Sequence, residues 1–379
     1  DVRAGLSEPE KERRKALDAD IGRIRAGRRA FQQGLLMTDA EGTPPVTRIL
    51  FQGNHQQPRA SVEPGFLSAL DPNPAPVRRP PNPKTTGRRL TLAEWIASPT
   101  NPLTARVFVN RIWQQHFGRG LTPTPNDFGL AGERPTHPEL LDWLAGQFVR
   151  EGWSVKQLHR VIVTSEAYRR DSRALGSRGD SVPNPDPDNA LYSRQNPRRL
   201  TAEQLRDAVL ATAGRLQLRP GGPPVWPELP SDILQANPAF LDDNETRTKG
   251  WYPSPRSDQE VRSVFLIQKR TVRVPFMETF DLPENSTSCA VRTASVVAPQ
   301  ALSLLNSPLA VEAAEAFAER VRREAGEAAP TQVSRAFRIA LQRPPTPEER
   351  ELSLRLVGAR SLAELCRALL NLNEFAYID

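Results

Sequence analysis

Cysteine, lysine, aromatic residues and long apolar runs are all scarce in this 379-residue sequence. Two cysteines, Cys289 and Cys366, cannot build a disulfide framework or a Cys-rich zinc site, and no Cys-x-x-Cys-His haem attachment occurs. No apolar stretch approaches the roughly 18 to 20 residues of a membrane-spanning helix, so a helical transmembrane reading is excluded. Neither a Gly-rich phosphate loop nor a Gly-x-Ser-x-Gly elbow is present, and neither cysteine has a histidine near it in sequence. Aromatics make up 6% of the chain and form no basic-aromatic cluster. With no RNP or zinc-finger pattern either, nucleic acid is not an expected partner.

What is abundant is proline and arginine. The 37 prolines are roughly twice ordinary usage, which predicts a folded chain with long proline-rich connections. Arginine supplies 45 of the 51 basic residues, and the formal net charge is +7. That excess is too dilute for a general polyanion surface. It is concentrated once, where Arg78, Arg79, Lys84, Arg88 and Arg89 stand with no acidic residue between Asp71 and Glu94.

Helix starts are legible, because Ser or Thr followed three residues later by Glu or Gln can satisfy two orphan amides reciprocally. Seven pairs precede helical patterns: Ser7 with Glu10, Thr91 with Glu94, Thr136 with Glu139, Ser154 with Gln157, Thr201 with Gln204, Thr346 with Glu349 and Ser361 with Glu364. The fold class they predict is mainly α, a multi-helix, bundle-like domain with long proline-rich loops and one or two minor β-strands. Residues 1–87 read as an amphipathic helix over about 8–36, carrying Leu17, Ile21, Ile24, Phe31 and Leu35, then a proline-rich connector from a preceding domain with one strand, Val46 to Phe51. Residues 88–379 read as a helical C-terminal domain: a helical block at 88–170, a loop-rich middle at 171–260 and C-terminal helices at 261–379. Within these lie an expected helix from Ala202 to about Leu218, a possible strand from Val261 to Ile267, and four or five helices after Val297. The chain opens at Asp1 with neither Met nor a leader, and is read as an internal or C-terminal portion of something longer.

The densest polar neighbourhood is 101–144. At 3.6 residues per turn, Arg106, Asn110 and Gln114 share one stripe with Arg111 beside it, which suits a clamp for a carboxylate, sulfate or phosphate. The alternative is an ion pair holding the block together. His116, Asp127, Glu133, His137 and Asp142 could supply nitrogen and oxygen ligands to a divalent metal, with His116, Asp127 and His137 the nearest to a set, but their spacing matches no established ligand pattern. Capping by His137 and a turn at Asp127-Phe128-Gly129 are the competing roles. Arg198, Arg199, Glu203, Arg206 and Asp207 surround the start of the 201 helix, where Arg199 and Glu203 form an expected i, i+4 pair.

A family resemblance rests on several stretches: Leu92-Ala93-Glu94-Trp95-Ile96, Asn101-Pro102-Leu103, Asn110-Arg111-Ile112-Trp113-Gln114, and His116-Phe117-Gly118. It continues through Thr124-Pro125-Asn126-Asp127-Phe128-Gly129, His137-Pro138-Glu139-Leu140-Leu141-Asp142-Trp143, Arg199-Leu200-Thr201-Ala202-Glu203, Pro299-Gln300-Ala301-Leu302 and Asn373-Glu374-Phe375. From about Arg88 to Asp379 the chain resembles the planctomycete-type C-terminal domain of unknown function that follows cytochrome-c-like domains in large exported bacterial proteins. The resemblance implies a periplasmic or cell-envelope multidomain parent whose c-type haem sits in another segment, with the cytochrome-c-like domain as partner and no cofactor in this chain. It implies no reaction. The leading expectation is a binding and scaffolding module whose ligand-facing residues are Arg106, Asn110, Arg111, Asp127, His137, Asp142, Arg199 and Arg206. The rival is a metal- or acid/base-dependent enzyme coupled to the cytochrome and centred on Asp127 and His137.

Overall fold

A computed structural model describes residues 7–27, 44–78, 85–172, 186–236 and 250–378. It divides into two compact units, Asp1–Ser98 and Pro99–Asp379. Helices dominate among the described residues, and the strands form two small two-stranded sheets.

The first unit opens with α1 (Glu8–Ala26), started by the Ser7/Glu10 capping box and buried nowhere along its length. Its Leu17, Ile21 and Ile24 are exposed, while Phe31 and Leu35 lie outside the described residues. Strands β1 (Thr47–Leu50) and β2 (Pro58–Val62) pair antiparallel, Thr47 opposite Val62 and Leu50 opposite Pro58, with an irregularity between Arg48 and Leu50. The expected strand at Val46 to Phe51 is thus one arm of a hairpin. Its turn places Gln52 and Gly53 at positive φ, and Arg59 lies 4.1 Å over the Phe51 ring. Helix α2 (Arg88–Ile96) belongs to this unit, tied to it by Trp95 stacking on Phe66 at 4.7 Å. Thr91 does not cap it: Gly87 at φ 77 stands at the N-cap, and the Thr91 hydroxyl donates back to the Gly87 carbonyl from inside the helix.

The second unit begins with three helices, α3 (Thr104–Phe117), α4 (Pro138–Arg150) and α5 (Val155–Val163). Val109, Trp113, Leu121, Leu144, Phe148 and Ile162 form their common core. Ser154 caps α5 as expected. Thr136 does not cap α4, because Leu121 captures it: its amide donates to the Leu121 carbonyl at 2.9 Å, leaving His137 at the N-cap and Pro138 to start the helix.

Strand β3 (Arg198–Arg199) leads into α6 (Ala202–Thr212), capped by the Thr201/Gln204 box. This helix stops short of Leu218 because Gly214 turns the chain at φ 74. After α7 (Ser231–Ala236), Val261 to Ile267 is no strand. Val261 and Leu266 make single bridges to Gln217 and Val225 on either side of a 3-10 turn at Ser263–Phe265. Helix α8 (Pro275–Thr279) precedes six more rather than four or five: α9 (Ala298–Asn306), α10 (Pro308–Ala325), α11 (Ala329–Ala340), α12 (Pro347–Ala359), α13 (Leu362–Leu370) and α14 (Asn373–Ala376). Ser307, Thr346 and Ser361 cap α10, α12 and α13. The larger core gathers Leu205 and Val209 of α6 with Met277, Phe317, Val333 and Leu370 from α8, α10, α11 and α13. Strand β4 (Tyr377–Ile378) returns to pair antiparallel with β3.

Candidate functional site

The 101–144 neighbourhood is occupied by its own fold. Arg106 donates to Asp142 Oδ1 at 2.6 Å and to the Pro102 carbonyl at 2.7 Å, clasping α3 to α4 at the surface. Asn110 is 0% exposed and so leaves the polar stripe. Its amide donates to the Thr122 carbonyl at 2.9 Å and accepts from the Thr122 amide at 2.8 Å. A side chain at Gly120 would strike this pair, since a Cβ there would lie 2.7 Å from Asn110 Nδ2, so the close approach requires glycine.

Arg111 reaches Asn126 Oδ1 at 2.8 Å. Asp127 accepts from the Gly129 amide at 2.8 Å, the side-chain turn expected of Asp before Phe-Gly. His137 contacts the Thr136 hydroxyl at 3.0 Å and lies against the Tyr192 ring. Asp127 thus takes the turn role, while His137 stands at the N-cap position of α4 without a side-chain bond to the helix amides; among the described residues no group of three or more His, Cys, Asp or Glu is placed to hold a metal. His116, Asp127 and His137 are not brought together. His116 instead meets His159 of α5 at 2.8 Å. Burial first, then His159 and Arg198, holds the His116 imidazole below its ordinary value. The cavity between α4 and α5, about 130 Å³ and lined by Phe148, Glu151 and Gln157 among others, contains none of the sequence candidates.

The arginines around α6 behave differently. Arg206 is buried and donates to the Gln259 and Val261 carbonyls at 2.7 and 2.9 Å, with Ser263 Oγ at 3.3 Å. Burial pushes its guanidinium below the ordinary range, against the pull of Asp207 and Glu260. Asp207 accepts from both the amide and the hydroxyl of Ser263 at 2.7 Å. Together they fix the 259–263 segment to α6. The expected Arg199–Glu203 pair does not form, because both residues find distant partners.

Arg199, whose side chain is 5% exposed, donates to Asp281 Oδ2 at 2.6 Å, to the Ser295 carbonyl at 2.6 Å and to the Phe280 carbonyl at 3.1 Å. Its Nε has no partner among the described residues. Asp281 sits at φ 61 and accepts from the Ser295 amide at 2.9 Å and hydroxyl at 2.8 Å. Burial would raise this carboxyl, but the Ser295 amide, Arg199 and the Ser295 hydroxyl outweigh it and hold it low. Gln300, at the start of α9, closes the node by donating to the Thr279 carbonyl and Ser295 Oγ, each at 3.1 Å.

From this node emerges a strap, residues 283–299, most of it without regular secondary structure and mostly exposed. Two further contacts pin it to α3 and α6, and a third lies within it. Gln114 of α3 donates to the Ala290 carbonyl at 3.3 Å, Arg292 donates to both oxygens of Glu203 at 2.8 and 3.1 Å, and the Cys289 thiol donates to the Val291 carbonyl at 3.2 Å. Val291, Val296 and Val297 remain exposed along it, Val296 at 82%. Asp281, Ser295 and Gln300 were not singled out from sequence. Their one signal was Gln300 within Pro299-Gln300-Ala301-Leu302, a stretch that carried the family resemblance.

The sequence pattern of a family described as PSD1, protein of unknown function (DUF1553), matches residues 88–357. The chain belongs to the PSD1 family. No curated protein and no solved structure matches it. Arg106, Arg199, Asp281, the strap and Gln300 all lie inside the PSD1 match, as does α2, whereas β4 lies beyond it.

Proposed function

We propose that this chain is a binding and scaffolding module of an exported, haem-linked multidomain bacterial protein, whose c-type haem is carried by a cytochrome-c-like domain elsewhere in the polypeptide, and that the strap meets that domain. One observation carries the binding role: an exposed, irregular segment with three bare valines is held in place by a nearly buried Arg–Asp node. Loops fixed on a rigid scaffold are where recognition concentrates, because their backbone order is already met before a partner arrives. The partner and the periplasmic or envelope setting come from the family resemblance.

Isothermal titration of the chain with the cytochrome-c-like domain of the same parent tests the reading. Val296→Asp and Arg292→Glu, both at exposed strap positions, should each weaken binding by about tenfold or more, or about 1.4 kcal/mol, with helix content unchanged by circular dichroism. Unchanged affinity in both variants, or no heat of binding with the parent domain, would overturn it.

A further inference from the structure

The first unit buries little of its own apolar surface. Among the described residues no buried apolar side chain precedes Ala105, and all three core clusters lie in the second unit. Helix α1 is exposed along all 19 of its residues, Leu17, Ile21 and Ile24 included. A helix of this length takes most of its stability from packing an apolar face, and that face of α1 is left open.

Spacing says what shape fits the face. Leu17, Ile21 and Ile24 follow one another at four and then three residues, which sets Leu17 and Ile24 at d and Ile21 at a of a heptad. The same alternation continues in the sequence to Phe31 at d and Leu35 at a, both outside the described residues. Isoleucine at a with leucine at d favours two parallel strands. Arg14 and Arg28 take the neighbouring a positions, which lowers the strength of such a seam while fixing its register.

Charge chooses the occupant. In a parallel pair each g residue meets the e residue five positions further along the other strand, and these contacts set partner and orientation. Arg13 and Asp20 hold g in α1, and Asp18 and Arg25 hold e. A second copy in register therefore sets Arg13 against Asp18 and Asp20 against Arg25 on both flanks of the seam, with no like-signed pair among them. The helix is complementary to itself.

We propose that α1 pairs with α1 of a second copy of this chain as a parallel two-stranded coiled coil, joining two chains through their first units. Sedimentation equilibrium of the full chain should show a dimer with a dissociation constant below about 100 μM. Ile21→Gln keeps a good helix former in α1 and should weaken the dimer by about tenfold or more, while Lys15→Glu on the outer face should leave it unchanged. Arg13→Glu and Asp18→Arg should each weaken it by about fivefold or more, since each turns two attractive pairs repulsive. An equimolar mixture of those two variants should recover the wild-type affinity, because every altered position then faces its opposite. The core of the second unit is untouched by these changes, as α1 contributes nothing to it. A chain monomeric up to about 1 mM overturns the proposal, as does a dimer indifferent to Ile21→Gln. A mixture no tighter than either charge variant alone also overturns it, by showing that the helices do not meet in parallel register.

Discussion

Arg106 and Arg199 are the same residue type, each 2.6 Å from an aspartate, yet they stand in opposite environments. Arg106 and Asp142 meet at the surface, where water screens both charges and holding two long side chains together costs entropy. Arg199 is almost wholly enclosed, and Asp281 answers it while also gripping Ser295. The surface pair joins helices already packed through Val109, Leu144 and Phe148, so it adds little that the core has not already secured. The buried node holds a strap that has few apolar anchors of its own. Distance alone therefore says nothing of what an ion pair does. What else would hold the same segments is the deciding question.

Substitutions turn that contrast into measurements. Arg199→Leu should be the most damaging, about 3 to 5 kcal/mol by urea denaturation, because it leaves Asp281 half-buried without its cation. The double variant Arg199→Leu with Asp281→Asn should recover much of that loss, since Asn tolerates the positive φ and carries no charge. Asn110→Ala should cost about 1 to 3 kcal/mol by stranding the Thr122 amide and carbonyl. Acid should act in two windows. The lowered His116 value means its contribution is complete above the ordinary 6.5 and is lost as pH falls through the folded value. The lowered Asp281 value places a second loss below the ordinary 3.8. A melting curve followed from neutral pH downward should show both steps, the first absent in His116→Gln. Arg106→Ala should be mildest, below about 1 kcal/mol and less still in high salt. If it matched Arg199→Leu, the distinction between the two regions would fail.

How much of this was legible follows the distance over which each interaction acts. Ser154, Thr201, Thr346 and Ser361 cap their helices through amides three residues away, so a short window contains the whole cause. Thr91 and Thr136 carry the same pattern and fail because something outside the window wins: Gly87 for one and Leu121 for the other. The polar residues of 101–144 were recognisable as a cluster, but the helical stripe could not show that Asn110 turns inward to Thr122. The node was invisible for a plainer reason. Arg199, Asp281 and Ser295 are separated by most of the middle of the chain, and only the packing of α6, α8 and α9 brings them together. His116 and His159, 43 residues apart, meet because α3 and α5 share a core.

The pairing of β3 with β4 also sets an order of events. Arg198 and Arg199 face Ile378 and Tyr377, and the Leu200 amide donates to the Ala376 carbonyl at 2.8 Å. During synthesis, the α3–α5 block has every one of its core residues, up to Tyr192, before β3 emerges, and it can fold while translation continues. Strand β3 must wait for a partner made long afterwards, so the strand that carries Arg199 is among the last parts to settle. Until then the growing chain carries β3 without its partner strand beside a helical block whose core residues are already complete.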